Sequence, residues 1–299
     1  MREALKPVSA LLISVAILLT GQGLQGTLLP IRASVESFST NSIGLMGAAY
    51  FLGFTIGCLL GVYFVKRVGH IRVFLAMTAI ASTTALIHAL LLFPSIWILM
   101  RMLTGFCFAV LFVVIESWVN DRSSNENRGV IFSVYVMITL TVQAVGQFLI
   151  LLYEPNGVEL FAITSILVTL AAIPIALSTS PAPYIDQNTS FNLKKLYKIS
   201  PAAVIGCLFI GLANGSFWSL APIFISDVFA DISFTAYFMT AVIVGGAIFQ
   251  WPIGYLSDKI GRRKITIITA AFSATISFLI VSMIDTLNLS GLIIAGIFW

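Results

Sequence analysis

The amino-acid sequence predicts an all-α integral membrane protein, and three observations carry that reading. Of the 299 residues, 59% are hydrophobic and 9% are Asp, Glu, Lys or Arg, against roughly 25% charged in a soluble domain. The apolar residues come in runs of about 20, enough to cross a hydrocarbon core as helix. The strand-type alternation over about ten residues that marks an outer-membrane barrel is absent. In lipid, moreover, backbone polar groups must pair internally, which helices achieve within one segment.

Taken in order, the runs place helices at approximately 8–30, 43–65, 73–93, 95–118, 130–153, 159–178, 201–225, 233–256 and 266–284, and a tenth begins near Ser290. The first follows Met1–Lys6 and stays apolar to Leu29. With comparable runs after it, it reads as a span rather than a cleaved signal peptide. The tenth is still apolar at Trp299, so the chain is expected to be a fragment or a C-terminally truncated product. A short re-entrant or interfacial tail is the alternative.

Charge sets the orientation. Alternate loops carry Arg2, Lys6, Lys66, Arg67, Arg72, Arg122, Arg128, Lys194, Lys195, Lys198, Lys259, Arg262, Arg263 and Lys264, which is 14 of the 16 basic residues. The opposite loops carry Arg32 alone, beside Glu36, Glu154, Glu159, Asp227, Asp231 and Asp285. By the positive-inside rule the basic side and the N-terminus are cytoplasmic. The longest loop, 179–200, divides six spans from the rest. It is read as a cytoplasmic linker between a bundle at 1–178 and a second, incomplete one at 201–299.

Several function classes fall away. The basic residues flank apolar runs instead of covering a polar domain, so a nucleic-acid partner is not expected. Cys58, Cys107 and Cys207 lie in apolar runs without ligand-spaced neighbours and read as buried small hydrophobes. His70 and His88 stand far apart, so no metal or other cofactor is expected. No Walker-type loop is present. No nucleophile or second acid accompanies Glu116, which argues against an enzyme.

The chain also repeats itself. Shifting by 192 residues pairs Gly53 with Gly245, Arg67 with Lys259, Gly69 with Gly261 and Arg72 with Lys264. Both segments close the second helix of a six-helix half and lead into the third. Repeated halves in one orientation are a transporter architecture.

Gly254, Asp258, Lys259, Gly261, Arg262 and Arg263 match the cytoplasmic-loop motif of the major facilitator superfamily, glycine, three residues, aspartate, basic, any, glycine, basic, basic. Arg101-Met-Leu-Thr-Gly105 resembles its second motif, an arginine with glycine four positions on. Tyr50-Phe-Leu-Gly53, Lys66-Arg67-Val-Gly69, Val114-Ile-Glu116-Ser, Asn127-Arg-Gly129 and Gln250-Trp-Pro-Ile-Gly254 are similar to a bacterial branch of small, mostly uncharacterised permeases. The resemblance covers essentially the whole chain. It implies twelve helices in two six-helix bundles around a central cavity, of which about nine and part of a tenth are present here. The first-half loop departs from the pattern, with Lys66 at the aspartate position and Val62 at the glycine position.

The resemblance implies secondary active transport of a small solute across a bacterial cytoplasmic membrane by alternating access, by a monomer embedded in lipid, with proton coupling the expected driver. An energy-independent facilitator and a non-transporting sensor on the same scaffold stay open, as do import and export, symport and antiport. The fifth helix has Gly129 and Gly146 but lacks the Gly-Pro-rich pattern of many drug–proton antiporters.

Within this frame the polar residues of the spans become candidates. Gln22 and Gln25 in the first span, Gln143 and Gln147 in the fifth, Asn214 and Trp218 in the seventh and Gln250 in the eighth can line a cavity or bond helix to helix. Gln22 and Asn214 belong to corresponding helices of the two halves. Arg101 either faces the cavity or snorkels outward near Trp97; the resemblance suggests influence on proton coupling or on an anionic group. Glu116 lies about 22 Å along the same helix and is expected in a gate-side network with Arg67, Arg72 or Arg128, a proton-carrying role being the alternative. Asp258 with Arg262, Arg263 and the other loop-motif residues is the expected cytoplasmic gate. Gly53, Gly57 and Gly61 give the second helix a flat face for close packing, and Gly245, Gly246 and Gly254 are expected to serve the eighth in the same way.

Overall fold

The computed structural model describes residues 8–123, 128–178, 197–229, 231–283 and 288–298. Nine helices among these are long and apolar enough to cross a membrane. In chain order they are α1 (Ser9–Val35), α2 (Thr40–Val68), α3 (His70–Leu90), α4 (Pro94–Asp121), α5 (Arg128–Phe148), the sixth span formed by α6 (Glu159–Leu170) and α7 (Ala172–Ala176), α8 (Pro201–Val228), α9 (Ile232–Ile260) and α10 (Arg262–Met283). A shorter apolar helix, α11 (Leu289–Phe298), follows.

The helix ends have local causes. Ser39 accepts a hydrogen bond from the Ser42 amide at the start of α2, and Asp231 caps α9 through the Ser233 amide. That bond holds the exposed Asp231 carboxyl below the usual carboxylate range. Pro94 and Pro201 occupy the first turns of α4 and α8, where no amide is missed. Helices α2 and α9 both stop at a glycine with positive φ, +87° at Gly69 and +109° at Gly261. A side chain at either position would be strained.

The 192-residue repeat therefore holds at the level of structure. The shift carries Thr40–Val68 onto Ile232–Ile260, the bounds of α2 and α9. It also carries Pro30 within α1 onto Pro222 within α8.

The first six spans pack around two apolar cores. One, towards the basic loops, gathers Leu11, Phe74, Phe108, Leu111, Ile115 and Trp118. The other, towards the acidic loops, is built on Leu28, Ile43, Met46, Trp97 and Phe161, and it takes in Ile223 of α8 and Ala236 of α9. Hydroxyl pairs tie the helices between these layers: Ser82 with Ser165 at 2.7 Å and Thr84 with Thr104 at 2.9 Å. Leu59, Tyr63, Ile166 and Phe209 point outward, an apolar exterior that lipid rather than water would cover.

The glycine stripe of α2 seats against α4. A Cβ at Gly53 would run into the Met102 carbonyl, one at Gly57 into the Phe106 carbonyl, and one at Gly105 into the Tyr50 carbonyl. Gly61 lies looser, with Val113 at 3.4 Å. In the second half Gly245 meets the backbone of Ile297 in α11. The expectation for the rest of α9 is corrected: Gly246 and Gly254 face open space within the described residues. Cys58 and Cys207 are also exposed, and only Cys107 is buried; Cys207 opens onto the crevice between α8 and α2.

Arg32, the lone base on the acidic side, has a structural use. It pairs with Glu36 at 2.8 Å and donates to the carbonyls of Pro155 at 2.8 Å and Gly157 at 3.1 Å. It thereby clamps the end of α1 to the loop before α6. Replacing Arg32 with alanine strands Glu36 and two carbonyls, and should cost about 2 kcal/mol, read as a lower thermal-unfolding midpoint; an unchanged midpoint would refute the clamp.

Candidate functional site

A cavity of about 310 Å³ lies where α1, α2, α4, α5 and α8 converge. Helix periodicity explains its lining. Gln22, Gln25 and Gly26 share one face of α1, Gln143 and Gln147 stand one turn apart on α5, and Asn214 and Trp218 do so on α8. Tyr50, Phe51 and Phe54 come from α2, Arg101 and Phe112 from α4, and Ser219 from α8. Close approach of α1 to α5 brings their amides together. A Cβ at Gly23 would meet the Gln143 carbonyl, and one at Gly146 the Thr20 carbonyl.

Arg101 sits over the Tyr50 ring, with its guanidinium carbon 4.3 Å from the centroid. This cation–π arrangement partly compensates a charge removed from water. Gln22 donates from Nε2 to the Tyr50 hydroxyl at 3.1 Å, which fixes the ring beneath the arginine. Trp97, one turn before Arg101, is fully buried and donates to the Leu91 carbonyl at 2.8 Å. It packs edge-on against His88, and the His88 Nδ1 lies 2.6 Å from the Thr84 carbonyl. Arg101 thus faces the cavity and does not snorkel outward. Thr27 donates to the Gln147 side chain and anchors α1 to α5. Among the described residues two buried amide atoms have no partner, Gln22 Oε1 and Gln25 Nε2.

Seven of the sequence candidates, Gln22, Gln25, Arg101, Gln143, Gln147, Asn214 and Trp218, line this one cavity. Gln250 does not; it is exposed on α9, ten residues or about 15 Å of helix beyond Thr240, where α9 meets α5. The aromatic wall of Phe51, Phe54 and Phe112 and the Tyr50 platform were not singled out from sequence. Tyr50 and Phe51 had a signal as part of a motif, and Phe54 and Phe112, unremarkable in apolar helices, had none.

The gate candidates are more scattered. Glu116 is exposed on α4, and among the described residues neither Arg67 nor Arg72 lies within ion-pair distance of it. Lys259 stacks on the Tyr255 ring at 4.5 Å. Lys66 and Arg263 are exposed at their helix ends. The side chains of Arg128, Asp258 and Arg262 lie outside the described residues, as do Lys194 and Lys195, so the expected ion-pair network is not on view.

The two halves touch towards the acidic loops. Thr240 of α9 reaches the Ala144 carbonyl of α5 at 3.5 Å, and Tyr237 packs on Phe148 at 5.6 Å. Gly47 of α2 abuts Ser219 of α8, and Phe51 lies against Gly215. Together with the Ile223 and Ala236 contacts, these join the halves on that side. Trp251 and Tyr255, towards the basic loops, stack on each other and remain exposed.

Comparison with known proteins agrees with this architecture. Residues 11–299 match the pattern of the Major Facilitator Superfamily. Over 260 residues the chain is 27% identical to the uncharacterised MFS-type transporter YcaD of Escherichia coli, covering 86% of this chain and 68% of that protein. Against YcaD of Escherichia fergusonii it is 26% identical over 259 residues, with the same coverage. The crystal structure of the nucleoside transporter NupG superposes with a TM-score of 0.77 at 14% identity, covering 97% of this chain and 78% of that one. The repeat, the convergent central cavity and these matches have one reading: the chain belongs to the Major Facilitator Superfamily.

Proposed function

We propose that the protein carries a small solute across the bacterial cytoplasmic membrane by alternating access, with proton coupling, and with its N-terminus on the cytoplasmic side. The carrying observation is the cavity between the halves, lined from both, with side-chain contacts joining the halves towards the acidic loops. In this reading those contacts form the seal on that side, and such a seal can open without unfolding either half. The concentration of basic residues in alternate loops supports the orientation. In this reading the division into bundles at 1–178 and 201–299 supplies the two rocking bodies. Asp258 and the basic residues around it would close the opposite side in the other state.

The test is reconstitution of the full chain in vesicles containing a pH-sensitive dye. Solutes are added in groups of organic acids, amino acids, sugars and nucleosides, the last because NupG is a nucleoside transporter. Solute-evoked proton flux, abolished by a protonophore, is the expected result. Solute exchange without proton movement would instead favour a facilitator. Binding with neither would overturn transport in favour of a sensor.

A further inference from the structure

The sequence contains 12 acidic residues, and none of those described lines the cavity. Among the described residues, Arg101 is the only Lys or Arg in its wall. Glu116, on the same helix, is too far along it to neutralise Arg101, and the other acids with described side chains, Glu36, Asp121, Glu154, Glu159, Asp227 and Asp231, lie at helix ends or in loops. The face of Tyr50 offers Arg101 partial compensation, but no described carboxylate or carbonyl accepts from the guanidinium's five donors. A cation held at membrane depth with unspent donors fits a counter-charge brought in from outside the chain.

The neighbouring groups complete the same chemistry. Gln25 Nε2, buried and without an acceptor, is a second donor on the cavity wall. Gln22 Oε1, buried and without a donor, suits a hydroxyl or amide hydrogen. Phe51, Phe54, Phe112 and Trp218 supply an apolar surface for the body of a ligand. The volume lies at the small end of the range for ligand cavities.

We infer that the transported solute is a small monocarboxylate with an apolar or aromatic body, its carboxylate paired with Arg101 and hydrogen-bonded by Gln25. A planar carboxylate matches the guanidinium fork. A carboxylate also matches the one cation described in the wall in charge, where a phosphate monoester would bring about −1.5 to −2. This assignment rests on the cavity being the transport site, and it names the solute class for that site.

The experiment compares carboxylates with their neutral isosteres at pH 7, using the full chain in mild detergent. The probes are benzoate and phenylacetate against benzamide and phenylacetamide, with inorganic phosphate and uridine alongside. Binding is read from the thermal-unfolding midpoint and from Trp fluorescence. Both acids should raise the midpoint in a dose-dependent way, and each amide should need at least roughly tenfold more ligand for the same shift. Arg101→Gln should erase the difference between acid and amide, and Arg101→Lys should keep part of it. Should Arg101→Gln fail to fold, the wild-type comparison decides alone. Equal shifts from acid and amide, no shift from either acid, or a preference for phosphate or uridine would overturn the assignment. Carboxylate binding without flux in vesicles would sink transport and leave the ligand class standing. Flux of neutral solutes unchanged by Arg101→Gln would do the reverse.

Discussion

A Gly53→Leu variant is expected to lose its folded state in detergent, while Gly61→Ala keeps it. The two positions lie on one face of α2, two turns apart, and differ in what stands opposite. At Gly53 a side chain would occupy the place of the Met102 carbonyl. Backbone cannot rotate aside as a side chain can, so the whole of α2 must lift from α4. That forfeits the contacts of the stripe and should cost more than about 3 kcal/mol. At Gly61 the nearest atom is a Val113 methyl at 3.4 Å, ordinary contact for a methyl group. Alanine there also gains helix propensity, so stability should stay within about 1 kcal/mol of the parent. Size-exclusion profiles and thermal midpoints of the two variants check this. A monodisperse Gly53→Leu protein with the parent midpoint would remove the close crossing from the account of the fold.

The second large effect concerns the balance between conformations rather than folding. Gly47 lies where α2 meets α8, and a side chain there would overlap Ser219. Gly47→Leu should therefore pry the halves apart towards the acidic loops without touching the core of either. The reporter is a cysteine at Ala236, which is fully buried in the sealing cluster, in a background with Cys58, Cys107 and Cys207 replaced by serine or alanine. Its reaction with an impermeant maleimide should speed up by about tenfold or more, the consequence of a population shift of about 1.4 kcal/mol. Gly246→Leu, facing open space and outside the loop motif, serves as the control and should leave the rate unchanged. Equal rates in all three backgrounds would mean that α2 and α8 do not form the seal.

The spans were legible because crossing a membrane imposes a one-dimensional requirement, a length of apolar chain. Their ends were less so. The second helix was expected over 43–65 and runs over Thr40–Val68, because the polar Lys66 and Arg67 still satisfy helical backbone bonds and only Gly69 turns the chain. The glycine stripe could be read from its spacing, but its partner helix could not, since packing is a three-dimensional relation. The same limit explains the site. Polar residues inside apolar runs are few, so Gln22, Gln25, Gln143, Gln147 and Asn214 announced themselves. The Tyr50 ring beneath Arg101 joins two helices that are 51 residues apart at these positions. Gln250 shows the cost of using polarity alone: a polar residue in a span can sit outside the cavity. Arg32 looked like noise in the charge pattern because its partners include two backbone carbonyls, which leave no mark in a sequence.

The glycine crossings also say where the molecule can bend. Within the first half, α2 and α4 meet backbone to backbone, and α9 repeats the arrangement with α11. Slippage along such a seam would drive main-chain atoms into one another. Between the halves, by contrast, the contacts run through Tyr237, Phe148, Ser219 and Phe51, side chains that can trade one partner for the next. In the proposed transport cycle the molecule would therefore act as two stiff levers meeting on a compliant bearing, with the seams moving as units and the aromatic surface between them exchanging contacts.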